Sequence, residues 1–241
     1  MVNELIAYCG PAAVPEDVWL RWNTDPVLIA ALAALAYGVA RRATHKNAGW
    51  AAIALMAVVF ISPLCALSSA LFSVRVLHHV ILVSAAAPLL ALAFPQRRAG
   101  VVPLALLVAA HAVALWVWHA PGPYAWGLAT VPGYWLMQLT LLGSAWWMWR
   151  AILANTTPNG SALVALAVTV GQMGLLGALI VFASGPLYPV HFASTLEWGF
   201  TPLSDQQLAG LLMWVPAMLP YLATGLWLAW TSLRPNTEVA L

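Results

Sequence analysis

His78 and His79 stand side by side at the head of an apolar run, Val80-Ile81-Leu82-Val83-Ser84-Ala85-Ala86-Ala87-Pro88-Leu89-Leu90, in a chain that is 63% hydrophobic and 7% charged. Ionisable side chains in such surroundings are costly unless they face an interior and find a partner, so the pair marks a candidate functional site. On a helix the two rings point about 100° apart, which suits one to act as a ligand and the other as its hydrogen-bonding neighbour. Further donors lie in other apolar stretches: Cys65 in Ser62-Pro63-Leu64-Cys65, then His111, His119 in Trp118-His119-Ala120-Pro121, and Met213. Thiolate, thioether and imidazole together suit Cu(I), whereas harder ions would want carboxylates that these stretches lack. Each residue also has a plainer role. Cys65 and Met213 can be ordinary buried packing, and His111 can bond a backbone carbonyl of a neighbouring helix.

The elements that must hold these residues are membrane helices. A mean hydropathy of +0.88 over 241 residues excludes a soluble globule and predicts an all-α, polytopic helix bundle. Apolar length and loop punctuation predict seven spans, near 26–41, 48–70, 75–95, 101–119, 133–152, 161–183 and 207–231. Residues 1–25 then form an external segment, 26–233 a single transmembrane domain and 234–241 a tail. Arg41, Arg42, Lys46, Arg97, Arg98, Arg150 and Arg234 fall on one side of this arrangement, which the positive-inside rule makes cytoplasmic. The N-terminus is therefore expected outside and the C-terminus in the cytoplasm, with the chain in a bacterial cytoplasmic membrane. Residues 1–26 are polar and acidic and lack a basic segment before an apolar core, so no cleavable signal is expected. The basic residues are explained by topology, and no nucleic-acid partner is expected.

Depth gives these donors a common level. Counting from a turn near Leu71-Phe72, Cys65 and His79 each fall about 10 Å below the outer surface, His111 about 12 Å below His119, and Met213 about 9 Å in. His119 itself is placed at the interface, where solvation makes a histidine inexpensive. Outside the membrane, Cys9 in Tyr8-Cys9-Gly10-Pro11 is a thiol that would oxidise unless protected or metal-bound. A Cys9–Cys65 disulfide is disfavoured, because one residue lies in a tail and the other well inside a span. The stretch from Ser184 to Asp205, rich in proline and aromatics, predicts a structured lid. Asp205 is expected to cap its own helix, and Arg75 either to pair with an acid such as Asp205 or to snorkel outward.

Several segments resemble the CtaG-type cytochrome c oxidase assembly factors, polytopic membrane proteins linked to copper supply for the copper-B centre of haem-copper oxidases. They are Tyr8-Cys9-Gly10-Pro11, Ser62-Pro63-Leu64-Cys65-Ala66-Leu67, Arg75-Val76-Leu77-His78-His79, Trp118-His119-Ala120-Pro121, Pro186-Leu187-Tyr188-Pro189 and, most specific, Asp205-Gln206-Gln207-Leu208-Ala209-Gly210-Leu211-Leu212-Met213-Trp214. The resemblance implies copper binding at the positions that match, His79 and His119. Many relatives carry a further histidine where this chain has Arg75, and a histidine pair at the start of the fifth span is absent here.

The function expected is a non-enzymatic copper carrier. Cu(I), taken from a periplasmic donor, would be captured by Cys9 with or without His191, passed to Cys65, His78 or His79 and His111 with Met213 as an auxiliary, and handed to a nascent oxidase subunit. No nucleophile, paired carboxylates or nucleotide-binding glycines argue for catalysis. Two alternatives remain: a haem b protein with His79 and His111 as axial ligands, and a purely structural accessory subunit of an oxidase.

Overall fold

The computed structural model describes residues 8–98 and 100–233, and it is helical throughout with no strand among them. Seven helices or helical runs dominate it. These are α1 (Pro26–Arg42), α2 (Lys46–Ile61) continued by α3 (Leu64–Ala70), α4 (Phe72–Val80) continued through a π turn (Ile81–Ala86) into α5 (Ala87–Ala93), α6 (Leu104–His119) with α7 (Pro121–Ala129), α8 (Val131–Ile152), α9 (Asn159–Val181), and α11 (Pro202–Trp214) with α12 (Leu219–Leu233). A short α10 (Ser194–Glu197) lies in the connection before α11. The expected tail 234–241, with Arg234, lies outside the described residues.

Among the described residues, three runs are long and apolar enough to cross a membrane unaided: Phe72–Ala93, Asn159–Val181 and Pro202–Leu233. Two bent pairs, α2 with α3 and α6 with α7, raise the number to five, short of the seven expected. The remaining two expected spans are the 17-residue α1 and α8, whose 22 residues include Tyr134, Gln138 and four tryptophans that dilute its hydropathy.

The breaks follow from proline. Pro63 cannot donate to a helix and pushes Ser62 to extended backbone, so α2 stops at Ile61 and α3 sets off at 50° to it. Pro121 does the same after Ala120, and α7 turns 77° away from α6. The earlier depth count treated 48–70 as one straight helix. The segment that carries Cys65 turns 50° away at Pro63, so rise along one axis does not give its depth.

Pro88 falls inside a continuous run instead. Its ring would clash with the carbonyl one turn back, and the wider π turn over Ile81–Ala86 gives that carbonyl room, so the helix continues. Helices α9 and α11 cross closely through Gly177 and Gly210. A Cβ on Gly210 would meet Val181 Cγ2 at 2.5 Å and the Gly177 carbonyl oxygen at 2.7 Å.

Candidate functional site

The site is built on the first turns of α4, which another helix holds in place. Asp205, 1% exposed, accepts the backbone N–H of Phe72 at 2.7 Å and of Ser73 at 3.2 Å, and also the Ser73 hydroxyl. The free N–H groups and positive dipole end of α4 make this a favourable place for a carboxylate. Asp205 was expected to cap its own helix. That task falls to Thr201, whose side chain accepts the Ser204 N–H at 3.1 Å in a capping box, and this frees Asp205 to reach α4.

Arg75, one turn on, is fully buried, contrary to the expectation that it pairs with Asp205 or snorkels outward. Its Nε donates to the Ser68 carbonyl at 3.2 Å, and its guanidinium carbon lies 5.2 Å from the centre of the Tyr134 ring. Nη1 has no partner. It does not snorkel because α3, α8 and the 182–201 connection close over the outer end of α4.

His78 and His79 are both buried, and they face different helices. His78 meets the Phe60 ring of α2 edge-on at 5.0 Å between centroids, and neither of its nitrogens has a partner. His79 points toward α6 and α8. Its ring lies 5.5 Å from that of His119, at 84°, and its Nε2 is 3.5 Å from Gln138 Nε2. If the Gln138 amide is turned over, its oxygen accepts the Nε2–H of His79 and leaves Nδ1 as the bare nitrogen.

His119 is 3% exposed, not at a solvated interface as expected. The bend into α7 and the 182–201 connection cover it, and the Tyr188 hydroxyl donates to its carbonyl at 2.7 Å. Its Nδ1 lies 2.7 Å from the Leu115 carbonyl oxygen. A carbonyl only accepts, so Nδ1 carries the proton and Nε2 keeps a lone pair, which is buried without a partner.

The other expected donors stand apart. His111 lies two turns back along α6, about 12 Å from His119 by helical rise. It bonds Ser144 at 3.0 Å, six positions and about 9 Å along α8 from Gln138, which holds His79. The structure therefore does not pair His79 with His111, as both the depth count and the haem alternative required. Met213, 2% exposed, packs in the main hydrophobic core.

Cys9 and Cys65 form a disulfide, with their Cα atoms 5.3 Å apart, against the expectation that the tail stays out. The tail folds inward because its polar groups are met. Tyr8 stacks on Tyr134 at 4.6 Å and donates to Asp25 at 2.5 Å, Asn23 donates to the Phe60 carbonyl at 3.1 Å, and Trp198 donates to that of Ala13 at 2.9 Å. The Tyr8 hydroxyl and the Val27 N–H hold the Asp25 carboxyl below the usual carboxylate range, and burial pushes the Tyr8 hydroxyl up. In the disulfide neither sulfur is a thiolate, so the sulfur donors expected at Cys9 and Cys65 are not available in this state.

The expected lid is present. His191 accepts the Tyr124 hydroxyl at 2.7 Å and donates from Nδ1 to the Ala70 carbonyl at 3.2 Å, so both its nitrogens are used. Burial, then the charge of Arg75, lower its pKa to about 4. Gln206 fastens the start of the lid, accepting the Leu187 N–H at 2.6 Å and donating to the Ile180 carbonyl at 3.1 Å.

Sequence reasoning missed Tyr134 and Gln138. The signal was there: Gln138 is an amide in the middle of the apolar run of α8, where a polar side chain needs an interior partner. No group of three or more His, Cys, Asp or Glu among the described residues is placed to hold a metal ion. The arrangement offers instead two neighbouring imidazoles from different helices, one with its tautomer fixed. The model of a family described as cytochrome c oxidase caa3 assembly factor matches residues 98–235. No curated protein and no solved structure matches.

Proposed function

This chain belongs to the cytochrome c oxidase caa3 assembly factor family, and from that premise we propose that it carries Cu(I) on His79 and His119 for the copper-B centre of a haem-copper oxidase. The observation that carries this reading is the bond from His119 Nδ1 to the Leu115 carbonyl, which leaves Nε2 bare on a ring 5.5 Å from that of His79. A metal-binding imidazole characteristically donates its other nitrogen to a carbonyl or carboxylate. Copper is cargo here. Two nitrogen donors suit that task, because an open site releases its ion by ligand exchange more readily than a closed four-ligand one.

The residues fit the ion only in part. His79 and His119 supply the nitrogens, and His78, 5.9 Å from His79 between centroids, is a neighbour turned toward α2. The sulfurs of Cys9 and Cys65 fit only after reduction. Topology supports the direction of travel. Arg97 bonds Thr44, and Arg150 Nε bonds the Phe94 carbonyl at 2.8 Å, so the basic residues share one end of the bundle. The positive-inside rule makes that end cytoplasmic and leaves the disulfide and lid on the outer side, where a copper donor and a nascent oxidase subunit would meet the chain.

Titration of the purified chain with Cu(I) against a chromogenic chelator tests this. One ion per chain is expected, with affinity at least tenfold weaker in His79→Ala and His119→Ala. Failure to compete for Cu(I), together with active oxidase in cells lacking the protein, overturns the reading.

A further inference from the structure

The Cys9–Cys65 disulfide has two unlike sulfurs. Cys65 is 1% exposed and Cys9 only partly buried, and both border a cavity with Tyr8, Arg21, Asn23 and Asp25. The Tyr134 hydroxyl lies 3.6 Å from the sulfur of Cys9 and 4.0 Å from that of Cys65. Behind the Tyr134 ring stands the guanidinium of Arg75, 5.2 Å from its centre. That cation is fully buried with an unpartnered Nη1, and the one ion pair among the described residues, Arg21–Asp17, lies elsewhere. Arginine does not lose its proton in a protein, so a buried guanidinium without a carboxylate favours an anion forming beside it. Arg75 also reaches into α3 through the Ser68 carbonyl, and the Ser68 hydroxyl in turn donates to the carbonyl of Cys65 at 2.6 Å.

The geometry points to a thiol–disulfide exchange centre whose substrate is an extracytoplasmic dithiol, not to an inert staple. The thiolate of the incoming dithiol attacks the sulfur of Cys9, the less buried of the two residues. The S–S bond breaks, and its electron pair leaves on Cys65 as a thiolate that accepts the Tyr134 O–H, with the charge of Arg75 against that tyrosine's ring. A mixed disulfide now joins Cys9 to the donor. The second thiol of the donor, as its thiolate, attacks the donor's sulfur in that bond and expels Cys9, whose sulfur takes a proton. The donor ends as a disulfide and this chain as a thiolate and a thiol, two electrons richer. A better-stabilised leaving sulfur leaves faster, and Cys65 has the Asn23 amide at 3.9 Å beside the Tyr134 hydroxyl that both sulfurs share, so attack falls on Cys9. The exchange stands without any metal, and so apart from the copper reading. Its product does restore the two sulfur donors one helical turn along α8, from Tyr134 to Gln138, from the histidine pair, about 6 Å by helical rise.

Two measurements on the full-length chain in detergent, with no copper present, test it. Brief treatment with 2-mercaptoethanol, acid quench and peptide mass analysis should place the adduct on Cys9, with Cys65 free to alkylate. Reduction by dithiothreitol, followed by maleimide gel shift, should slow about tenfold or more in Tyr134→Phe, because a thiolate loses its hydroxyl donor while the ring and its stacking on Tyr8 remain. Recovery of the intact disulfide in that variant shows that the segment is still seated. An adduct on Cys65, or equal adducts on both sulfurs, overturns the proposal in the wild-type chain alone. A rate within twofold of wild type in Tyr134→Phe overturns it as well.

Discussion

His119 donates from Nδ1 to the carbonyl of Leu115, one turn back on α6 at 2.7 Å, and this local bond leaves Nε2 as the free nitrogen of a ring 5.5 Å from that of His79. His191 shows the contrast. Its two nitrogens are occupied by Ala70 and Tyr124, so an imidazole equally buried is spent on holding the lid.

Substituting His111 should therefore separate the copper reading from mere burial. His111→Ala is expected to leave Cu(I) affinity within twofold of wild type, since its partner is Ser144 and it lies two turns from His119. His119→Ala should weaken affinity at least tenfold. Chelator competition reads both, and equal losses would mean that the two histidines act through stability.

Asp205→Ala should lower the thermal midpoint and loosen α4. The change removes the acceptor of two backbone N–H groups and the Ser73 hydroxyl, a loss of about 1–2 kcal/mol for such a cap. Asp205→Asn keeps an oxygen there and should lose less. Thermal unfolding in detergent, followed by tryptophan fluorescence, gives the order.

The lid should loosen in mild acid. Burial, then Arg75, hold His191 neutral with a pKa lowered from 6.5 to about 4. A histidine with a depressed folded value contributes its full stability above 6.5, and this is lost as pH falls from 6.5 toward 4, because the unfolded segment takes up the proton first. Protection factors for amide exchange over 186–198, corrected for the intrinsic pH dependence of exchange, should fall across that window and stay flat from pH 7 to 8.

Gly210→Ala should part α9 from α11. Its Cβ would stand 2.5 Å from Val181 Cγ2 and 2.7 Å from the Gly177 oxygen, an overlap costing about 1–3 kcal/mol. Gly143, with nothing within 4 Å of an added Cβ, is the control, and Gly143→Ala should stabilise α8 by up to about 1 kcal/mol. Thermal midpoints that move alike would refute the close crossing.

Composition determined the class by itself, because 63% hydrophobic residues with 7% charged leave no way to build a soluble surface. The long unbroken runs, Phe72–Ala93 and Asn159–Val181, were legible for the same reason. His79 and His119 were legible as residues, since an imidazole in an apolar helix draws notice wherever it sits. Their meeting was not. Depth along a straight helix pointed to His111 and Cys65, but the 50° bend at Pro63 spoils the count for Cys65, and a level shared by His79 and His111 does not say which side chains adjoin. The disulfide escaped for a related reason. The tail reaches Cys65 only because Tyr8 finds a partner on α8 and Asn23 one on α2, contacts between residues far apart in sequence that no local pattern encodes. Sequence thus set which side chains are costly to bury. Tertiary packing decided which of them share a neighbour, because that depends on the angles between helices.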